Sequence, residues 1–267
     1  MKRFGRFLYW RFISSNPRLR LFLTKLFLPN RTEVISLFGV PLAVHLQKEA
    51  GYKSAADRLE STMLHEEAPV LLSLALILKP KDTLVDVGAN VGFYSACLAK
   101  LQSVSPDFKI YAFEPNADTA QRLRQSLKGR KVEIFETALS DKEGELDFVS
   151  GFASAVYGVR RAQPHNFQIA QTHHKVTAKR LDSFPIEGNS LVIKIDVEGH
   201  EWEVLQGASA LFDAGRVKAV YIDGYDDRRL QEWLRSRGFR FYNGRSLQPE
   251  AVDSVDYSLL ALHPAHL

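Results

Sequence analysis

The sequence offers little to hold a fold together covalently, because only one of its 267 residues is a cysteine, Cys97. A single thiol excludes an internal disulfide framework and a four-cysteine zinc site. Long apolar runs are also missing, since residues 70–78 form a stretch far shorter than the roughly 20 residues of a membrane-spanning helix. We therefore expect a cytoplasmic chain that lacks a spanning helix and a secretory signal.

Acidic residues are absent from positions 1–32, which hold eight of the 35 lysines and arginines. The remaining 27 basic residues face 31 acids, so the rest of the chain is mildly acidic. A nucleic-acid-binding face should run through the folded domain, and this distribution therefore predicts no nucleic-acid partner. Aromatic residues and leucines alternate with the basic ones, as in a helix at the inner face of a membrane. A helical hairpin around Pro17, packed on the domain, explains the same pattern, and both interpretations stay open.

From residue 80 onward, short apolar runs alternate with helical periodicity, which is typical of a parallel sheet with crossover helices. The predicted strands are Thr83–Val87, Ile110–Phe113, Val132–Phe135, Leu191–Ile195 and Lys218–Ile222. The predicted helices between them are Val91–Leu101, Ala117–Leu127 and Glu201–Phe212. The sequence thus predicts an α/β fold with a Rossmann-like doubly wound sheet.

The remaining segments complete a predicted division into an N-terminal basic and helical extension, residues 1–79, and a second domain, residues 80–267. Within the extension we expect extended segments at 33–48 and a helix over Ala55–Leu78. Residues 144–180 contain glycines, a proline and short β-like runs, which predict an inserted hairpin and loop over the acceptor pocket. After a helix at Asp227–Arg237, two further runs predict a closing antiparallel hairpin, Phe239–Asn243 and Tyr257–Leu262.

A glycine-containing turn follows the first predicted strand and is the clearest binding signal, with Gly88, Ala89, Asn90 and Gly92 as its candidate cofactor-binding residues. Gly88 permits a tight turn, and Gly92 lies where the helix start passes the strand. Such a turn binds a phosphate or a carboxylate. Asp86, two residues earlier, would repel a pyrophosphate but suits the cationic amino group and sulfonium of S-adenosylmethionine. Its alternative role is to cap the turn.

A second acid, Glu114, ends the second predicted strand, 28 residues after Asp86. A carboxylate at that tip can accept both ribose hydroxyls, in methyltransferases and in dinucleotide enzymes. Glu114 alone therefore does not separate the two cofactors, whereas its combination with Asp86 favours the methyl donor.

Five ordered motifs resemble the FkbM family of methyltransferases over about half of the chain. They are Asp86-Val-Gly-Ala-Asn-Val-Gly-Phe-Tyr, Phe113-Glu-Pro-Asn, Glu136-Thr-Ala-Leu-Ser-Asp, Leu181-Asp-Ser-Phe and Ile193-Lys-Ile-Asp-Val-Glu-Gly-His-Glu. The resemblance implies S-adenosyl-L-methionine as cofactor and O-methylation of a hydroxyl on a saccharide or a polyketide-like product. It also implies that the segment from Ala138 to Asp141 borders the adenine. The sequence departs from the family at Asp223, where glutamate is more common, and the basic N-terminus lies outside the family core.

The segment after the fourth predicted strand is the richest in titratable groups, with Asp196, Glu198 and His200 as candidate catalytic residues. An alkyl hydroxyl is a poor nucleophile at neutral pH, so methyl transfer should need a nearby base. We expect Asp196 to position the acceptor and cofactor and either Glu198 or His200 to act as base. As alternatives, His200 is a simple helix-start residue, and the acids after it are partners of the helix dipole.

Some alternatives concern the chemistry of the whole site. Asp196 and Asp223 end adjacent predicted strands, where some O-methyltransferases hold Mg²⁺ to bind a diol. Two isolated acids are weak support for such a site, so we assign no metal ligand. A dinucleotide-dependent sugar enzyme would share the glycine turn and Glu114, and a non-catalytic membrane-associated protein would not need the acids after the fourth strand. The main prediction is O-methylation of a saccharide or glycoconjugate precursor, with another natural product as the alternative acceptor.

Overall fold

The computed structural model describes residues 17–57, 62–151, 158–159, 172–224, 227–249 and 258–266. Its helices are α1 (Pro17–Phe27), α2 (Ala50–Asp57), α3 (Thr62–Ile77), α4 (Phe93–Leu98), α5 (Ala117–Ser126), α6 (Glu201–Gln206), α7 (Ser209–Asp213) and α8 (Arg228–Ser236). The strands are β1 (Thr32–Leu37), β2 (Val40–His45), β3 (Thr83–Val87), β4 (Lys109–Phe113), β5 (Glu133–Phe135), β6 (Ala138–Leu139), β7 (Gly144–Ser150), β8 (Gly158–Val159), β9 (Thr172–Lys179), β10 (Leu191–Ile195), β11 (Val217–Asp223), β12 (Arg240–Asn243) and β13 (Ser258–Leu262).

Seven strands form the central sheet in the order β12-β13-β11-β10-β3-β4-β5. The strands β3, β4, β5, β10 and β11 are parallel, whereas β13 is antiparallel to both β11 and β12. All five residues of β3 and of β10 are buried, as expected for parallel strands covered on both faces. The structure confirms the predicted doubly wound α/β sheet and its closing antiparallel hairpin.

Alternate residues of the central strands pack into two apolar clusters. Leu84 and Val192 join the cluster that contains Phe93 of α4, and Val85 and Ile193 join the cluster that contains Leu230 of α8. The chain runs outward from β3 through β4 to β5, and then returns to β10 on the other side. The switch point therefore lies between β3 and β10, and ligands of such sheets bind at the carboxyl ends of the strands there.

Three predicted helices differ from the observed ones in their bounds. The helix predicted at Val91–Leu101 is α4 followed by a 3-10 turn, and it begins late because Gly92 has a left-handed φ of 89°. The helix predicted at Glu201–Phe212 is divided into α6 and α7 around Gly207. A Cβ on Gly207 would lie 2.0 Å from the carbonyl oxygen of Ser140, so this turn packs against a neighbouring backbone. The helix predicted at Ala55–Leu78 is α2 and α3, with residues 58–61 outside the described residues.

The predicted insertion is confirmed where it is described. Strand β7 pairs with β9 in antiparallel register, and together with β6 and β8 they form a four-stranded sheet. Residues 152–157 and 160–171 lie outside the described residues, so the predicted cover over the acceptor pocket stays a prediction.

The N-terminal part packs directly on the central sheet. Strands β1 and β2 form a hairpin whose two turn residues, Phe38 and Gly39, have φ values of 50° and 70°, as a type I′ turn requires. Leu42 of β2 and Leu74 of α3 belong to the same apolar cluster as Leu84 of β3.

The division of the chain at residue 79 stays a prediction. Residues 1–16 lie outside the described residues. Within the described ranges, none of the helices is both long enough and apolar enough to cross a membrane.

A buried ion pair joins the end of α3 to the central sheet. The ammonium of Lys218 donates to Asp82 Oδ2 and to the carbonyl of Ile77, each at 2.6 Å. Both charged side chains are almost fully buried, at 1% and 6% exposure. Removing one partner would leave the other charge buried without compensation.

We expect Lys218→Met to lower the free energy of unfolding by about 3 kcal/mol, because Asp82 would keep a buried charge. Urea unfolding followed by tryptophan fluorescence measures this change. Lys109→Met is the matched control, since Lys109 pairs with Glu187 at the protein surface, where ion pairs contribute little. Equal urea midpoints for the two variants would contradict the proposed role of the buried pair.

Candidate active site

The turn after β3 depends on glycine for two separate reasons. Gly88 has φ of 73°, and a Cβ there would lie only 1.9 Å from the carbonyl oxygen of Asp196 at the end of β10. A Cβ on Gly92 would lie 2.6 Å from Leu123 Cδ1 of α5. The backbone N–H groups of Gly88 and Ala89 both donate to the carbonyl of Phe113, at 3.0 and 2.9 Å. The turn is thereby fixed between the ends of β4 and β10.

Asp86 is completely buried beneath this turn. Its Oδ2 accepts a hydrogen bond from Ser95 Oγ at 2.7 Å, and its Oδ1 lies 3.3 Å from the ammonium of Lys194. The sequence analysis expected Asp86 to pair with the positive charges of the cofactor. The structure instead shows a protein cation beside the carboxylate, and a direct contact with cofactor stays a prediction.

Lys194 is the central residue that the sequence analysis did not single out. It is opposite Asp86 in the β3–β10 register, and its ammonium donates to the carbonyl of Gly88 at 3.1 Å and to Asp196 Oδ2 at 3.3 Å. Although burial opposes the charged form, the carboxylates of Asp196 and Asp86 raise the pKa of Lys194 above its ordinary value. A lysine inside an otherwise apolar, fully buried strand was the signal that could have identified it.

Glu114 holds the two loops at the tips of β3 and β4. One carboxylate oxygen accepts the N–H of Asn90 at 3.0 Å, and the other accepts the N–H of Asn116 at 2.9 Å. Burial raises the pKa of Glu114 to about 7, although both hydrogen bonds act in the opposite direction. Asn90 itself has a left-handed φ of 51°, and its buried Oδ1 has no hydrogen-bond partner within the described ranges.

Two of the three predicted catalytic residues, Asp196 and Glu198, lie together in the segment after β10. Asp196 is held by its N–H, which donates to the carbonyl of Val87 at 3.1 Å, and its side chain is 36% exposed. Glu198 and Gly199 both have left-handed φ values, 53° and 89°, so the chain turns sharply here. Burial raises the pKa of Glu198 to about 8, and the charge of Asp196 acts in the same direction.

His200 is buried and faces a different set of partners. Its Nε2 lies 3.1 Å from Ser140 Oγ, and its Nδ1 lies 3.4 Å from Glu203 Oε2. Burial lowers the pKa of His200, which favours the neutral ring. The structure therefore places His200 next to the segment that follows Ala138, a buried residue of β6. It does not place the ring next to the carboxylates of Asp196 and Glu198.

Two further carboxylates approach Asp196. Asp223 at the end of β11 accepts a hydrogen bond from the Tyr221 hydroxyl at 2.9 Å, and burial, with the charge of Asp196, raises its pKa to about 6. Glu67 of α3 accepts a hydrogen bond from the Tyr94 hydroxyl, and the sequence analysis missed it because α3 precedes the glycine turn.

Among the described residues, no group of three or more histidines, cysteines or acids is arranged to hold a metal ion.

The doubly wound sheet with a reversed terminal strand, the glycine turn and the carboxylates at the tips of β4 and β10 define a Rossmann-like methyltransferase. The chain belongs to the FkbM methyltransferase family, since the family model, described as the methyltransferase FkbM domain, matches residues 86–241. The family resemblance of the five motifs is thereby confirmed. As a member of this family, the protein is an S-adenosylmethionine-dependent methyltransferase.

Three characterised proteins are similar to this chain. Hexuronic acid methyltransferase AglP of Haloferax volcanii is 29% identical over 184 residues, which cover 64% of this chain and 69% of that protein. 2-O-methyltransferase NoeI of Sinorhizobium fredii is 25% identical over 174 residues, 60% of this chain and 69% of that protein. AMB antimetabolite synthetase AmbE of Pseudomonas aeruginosa is 27% identical over 257 residues, 71% of this chain but only 12% of that protein. A solved S-adenosylmethionine-dependent O-methyltransferase from Thermotoga maritima aligns at 13% identity with a TM-score of 0.42, covering 86% of this chain and 77% of that chain.

The residues at the switch point fit S-adenosylmethionine. Each Glu114 oxygen accepts one backbone N–H and keeps a lone pair for a ribose hydroxyl. The unpartnered Asn90 Oδ1 is a further acceptor beside them. Gly88, Ala89, Asn90, Gly92 and Glu114 would hold the cofactor, with Ala138 and Asp196 as the other predicted contacts. These individual contacts stay predictions.

We expect Gly88→Ala to lower the free energy of unfolding by about 2 kcal/mol more than Gly129→Ala does. Both glycines have left-handed φ values, 73° and 80°, but only at Gly88 would a Cβ meet another backbone. Thermal unfolding with and without S-adenosylhomocysteine measures both the stability loss and the loss of ligand stabilisation. If Gly88→Ala matched Gly129→Ala in both, the close contact with Asp196 would not constrain the turn.

Proposed function

We propose that this enzyme transfers a methyl group to a hydroxyl of a saccharide or glycoconjugate precursor. The observation that carries the proposal is the pair of acids after β10, in which a partly exposed Asp196 lies close to Glu198, and burial raises the pKa of Glu198 to about 8. The names of AglP and NoeI, a hexuronic acid methyltransferase and a 2-O-methyltransferase, support a sugar acceptor and an oxygen nucleophile.

Bound S-adenosylmethionine supplies an electrophilic methyl group on a positively charged sulfur. The protein must then orient the acceptor oxygen and remove its proton. Asp196, fixed by the ammonium of Lys194 at 3.3 Å, orients the acceptor by accepting a hydrogen bond from a hydroxyl next to the one that is methylated. Glu198 takes the proton on its carboxylate, because a base with a pKa close to the working pH combines the right protonation state with enough basicity.

His200 is the weaker candidate for the base. Its two ring nitrogens lie beside Ser140 and Glu203, so proton removal would require it to leave both partners. We assign it the role of fixing the start of α6 and the segment after Ala138. That role follows its alternative interpretation as a helix-start residue.

The similarity to AmbE supports a second class of acceptor, a non-saccharide natural product. Because the match covers only a small part of that synthetase, we rank this acceptor below a saccharide. Because the chain belongs to a methyltransferase family, we do not propose the alternative of a dinucleotide-dependent sugar enzyme.

We expect Glu198→Gln to reduce methyl transfer by about 100-fold, the lower end for loss of a general base. The wild-type kcat/KM should rise with pH through about 8, because Glu198 accepts the proton only when ionised, and this rise should vanish in the variant. Radiolabelled methyl transfer to glycan fractions measures both. Glu143→Gln, in an exposed turn, is the control. Full activity in Glu198→Gln would exclude it as base, and normal turnover in both Asp196→Asn and His200→Ala would overturn the remaining assignments.

We also propose that the N-terminal extension contacts an anionic membrane surface. Phe22, Leu26 and Phe27 on α1 are 61%, 60% and 74% exposed, and Lys25 lies among them. Residues 1–32 contain no acid that would oppose such contact. A helix with exposed aromatic side chains and basic neighbours suits the interface of an anionic leaflet.

We expect the double variant Phe22→Ser and Phe27→Ser to weaken binding to phosphatidylglycerol vesicles at least tenfold, the effect of about one buried aromatic side chain. Flotation of the full chain with these vesicles measures the binding. Val104→Ser is the matched control, because Val104 is 78% exposed but lies beyond α4. Equal flotation of the double variant and wild type would contradict this contact.

A further inference from the structure

Glu67 lies outside the segment that matches the family, yet it is connected to the active site by contacts. Its Oε2 accepts the hydrogen bond from Tyr94, the second residue of α4 after the glycine turn. The ammonium of Lys194 lies 5.1 Å from the centre of the Tyr94 ring and 3.3 Å from Asp196 Oδ2. An unbroken path of contacts therefore leads from α3 to the residue that positions the acceptor.

Glu67 has no direct ion-pair partner among the described residues, although the charge of Lys194 acts on it from a greater distance. Burial raises its pKa to about 7 against the hydrogen bond from Tyr94, and the charges of Asp196 and Asp223 act in the same direction as burial. No lysine or arginine within the described ranges forms an ion pair with it, whereas the buried Glu49 is paired with Arg122 at 3.0 Å. A half-buried carboxylate without a direct ion-pair partner costs stability, which is the pattern of a residue kept for a ligand.

We propose that Glu67 binds hydroxyls of the sugar acceptor, so that helix α3 of the N-terminal extension forms one wall of the acceptor site. This inference rests on the proposed function. Oε2 takes one hydrogen bond, and Oε1 receives none from the described residues, so the carboxylate can accept from neighbouring hydroxyls of one sugar ring. Tyr94 fixes the orientation of the carboxylate toward the carboxyl ends of β10 and β11.

The charges of the site select the kind of sugar. Among the described residues at this edge of the sheet, the acids Glu67, Asp196, Glu198 and Asp223 outnumber the two cations that act on them, Lys194 and Arg245, and Asp86 offsets Lys194 from below. A sugar carboxylate would be repelled there. The acceptor is therefore an uncharged polyol, in contrast to the hexuronic acid in the name of AglP.

The test compares matched oligosaccharide acceptors, neutral hexose-terminated ones and their hexuronate counterparts, with radiolabelled S-adenosylmethionine. Wild type should prefer the neutral acceptor. Glu67→Gln should lower kcat/KM for the neutral acceptor about tenfold, the effect of losing a hydrogen bond to a charged group, mostly through KM. For the hexuronate it should lower kcat/KM less, since a negative charge is removed. Glu66→Gln, the exposed neighbour on α3, should leave both values unchanged.

Two measurements separate a binding role from a structural one. S-adenosylhomocysteine binding by calorimetry should be the same in Glu67→Gln and Glu66→Gln, and the thermal unfolding midpoint of Glu67→Gln should be no lower than that of Glu66→Gln. An equal loss for both acceptors, no loss at all, or a wild-type preference for the hexuronate would overturn the inference and leave the proposed function intact. No transfer by wild type to any of the oligosaccharides would overturn the proposed function itself.

Discussion

The site depends on one buried cation, the ammonium of Lys194, which lies between the carboxylates of Asp86 and Asp196. It also donates to the carbonyl of Gly88, so a single group contacts the strand before the turn, the turn itself and the tip of the next strand. Asp86 is fully buried, and without this partner its carboxylate would have no ion-pair partner among the described residues. The ion pair therefore fixes the geometry of the switch point, where the methyl donor and the acceptor have to meet.

Around this centre, three separate parts of the chain supply the groups of the site. The strands β3 and β4 provide the turn and Glu114, the strands β10 and β11 provide Asp196 and Asp223, and α3 provides Glu67. The ion pair between Lys218 and Asp82 attaches the end of α3 to β11, the same strand that carries Asp223. The N-terminal extension is thus placed relative to the acceptor-facing edge by buried contacts, even though it precedes the family domain.

The sheet, the turn and the closing hairpin could be predicted because apolar runs, glycines and strand-ending acids are local signals. Helix ends were less predictable, since the interruption between α6 and α7 lies at Gly207, which packs against the backbone of Ser140, far away in the sequence. The same limit applies to the site. Asp86 was expected to bind the cofactor, whereas the cation beside it among the described residues is Lys194. The partner of a lysine in an apolar strand cannot be identified until the β3–β10 register is known. Glu67 lies on a helix whose sequence contains no motif.

The contact between Gly88 and the carbonyl of Asp196 has a consequence for protein engineering. The backbone that would approach the cofactor and the backbone of Asp196, the residue proposed to position the acceptor, touch without a side chain between them. Neither segment can change shape during laboratory evolution without displacing the other. New acceptor preferences are therefore more accessible through substitutions on α3, whose exposed and half-buried positions can vary while the donor-binding turn keeps its form.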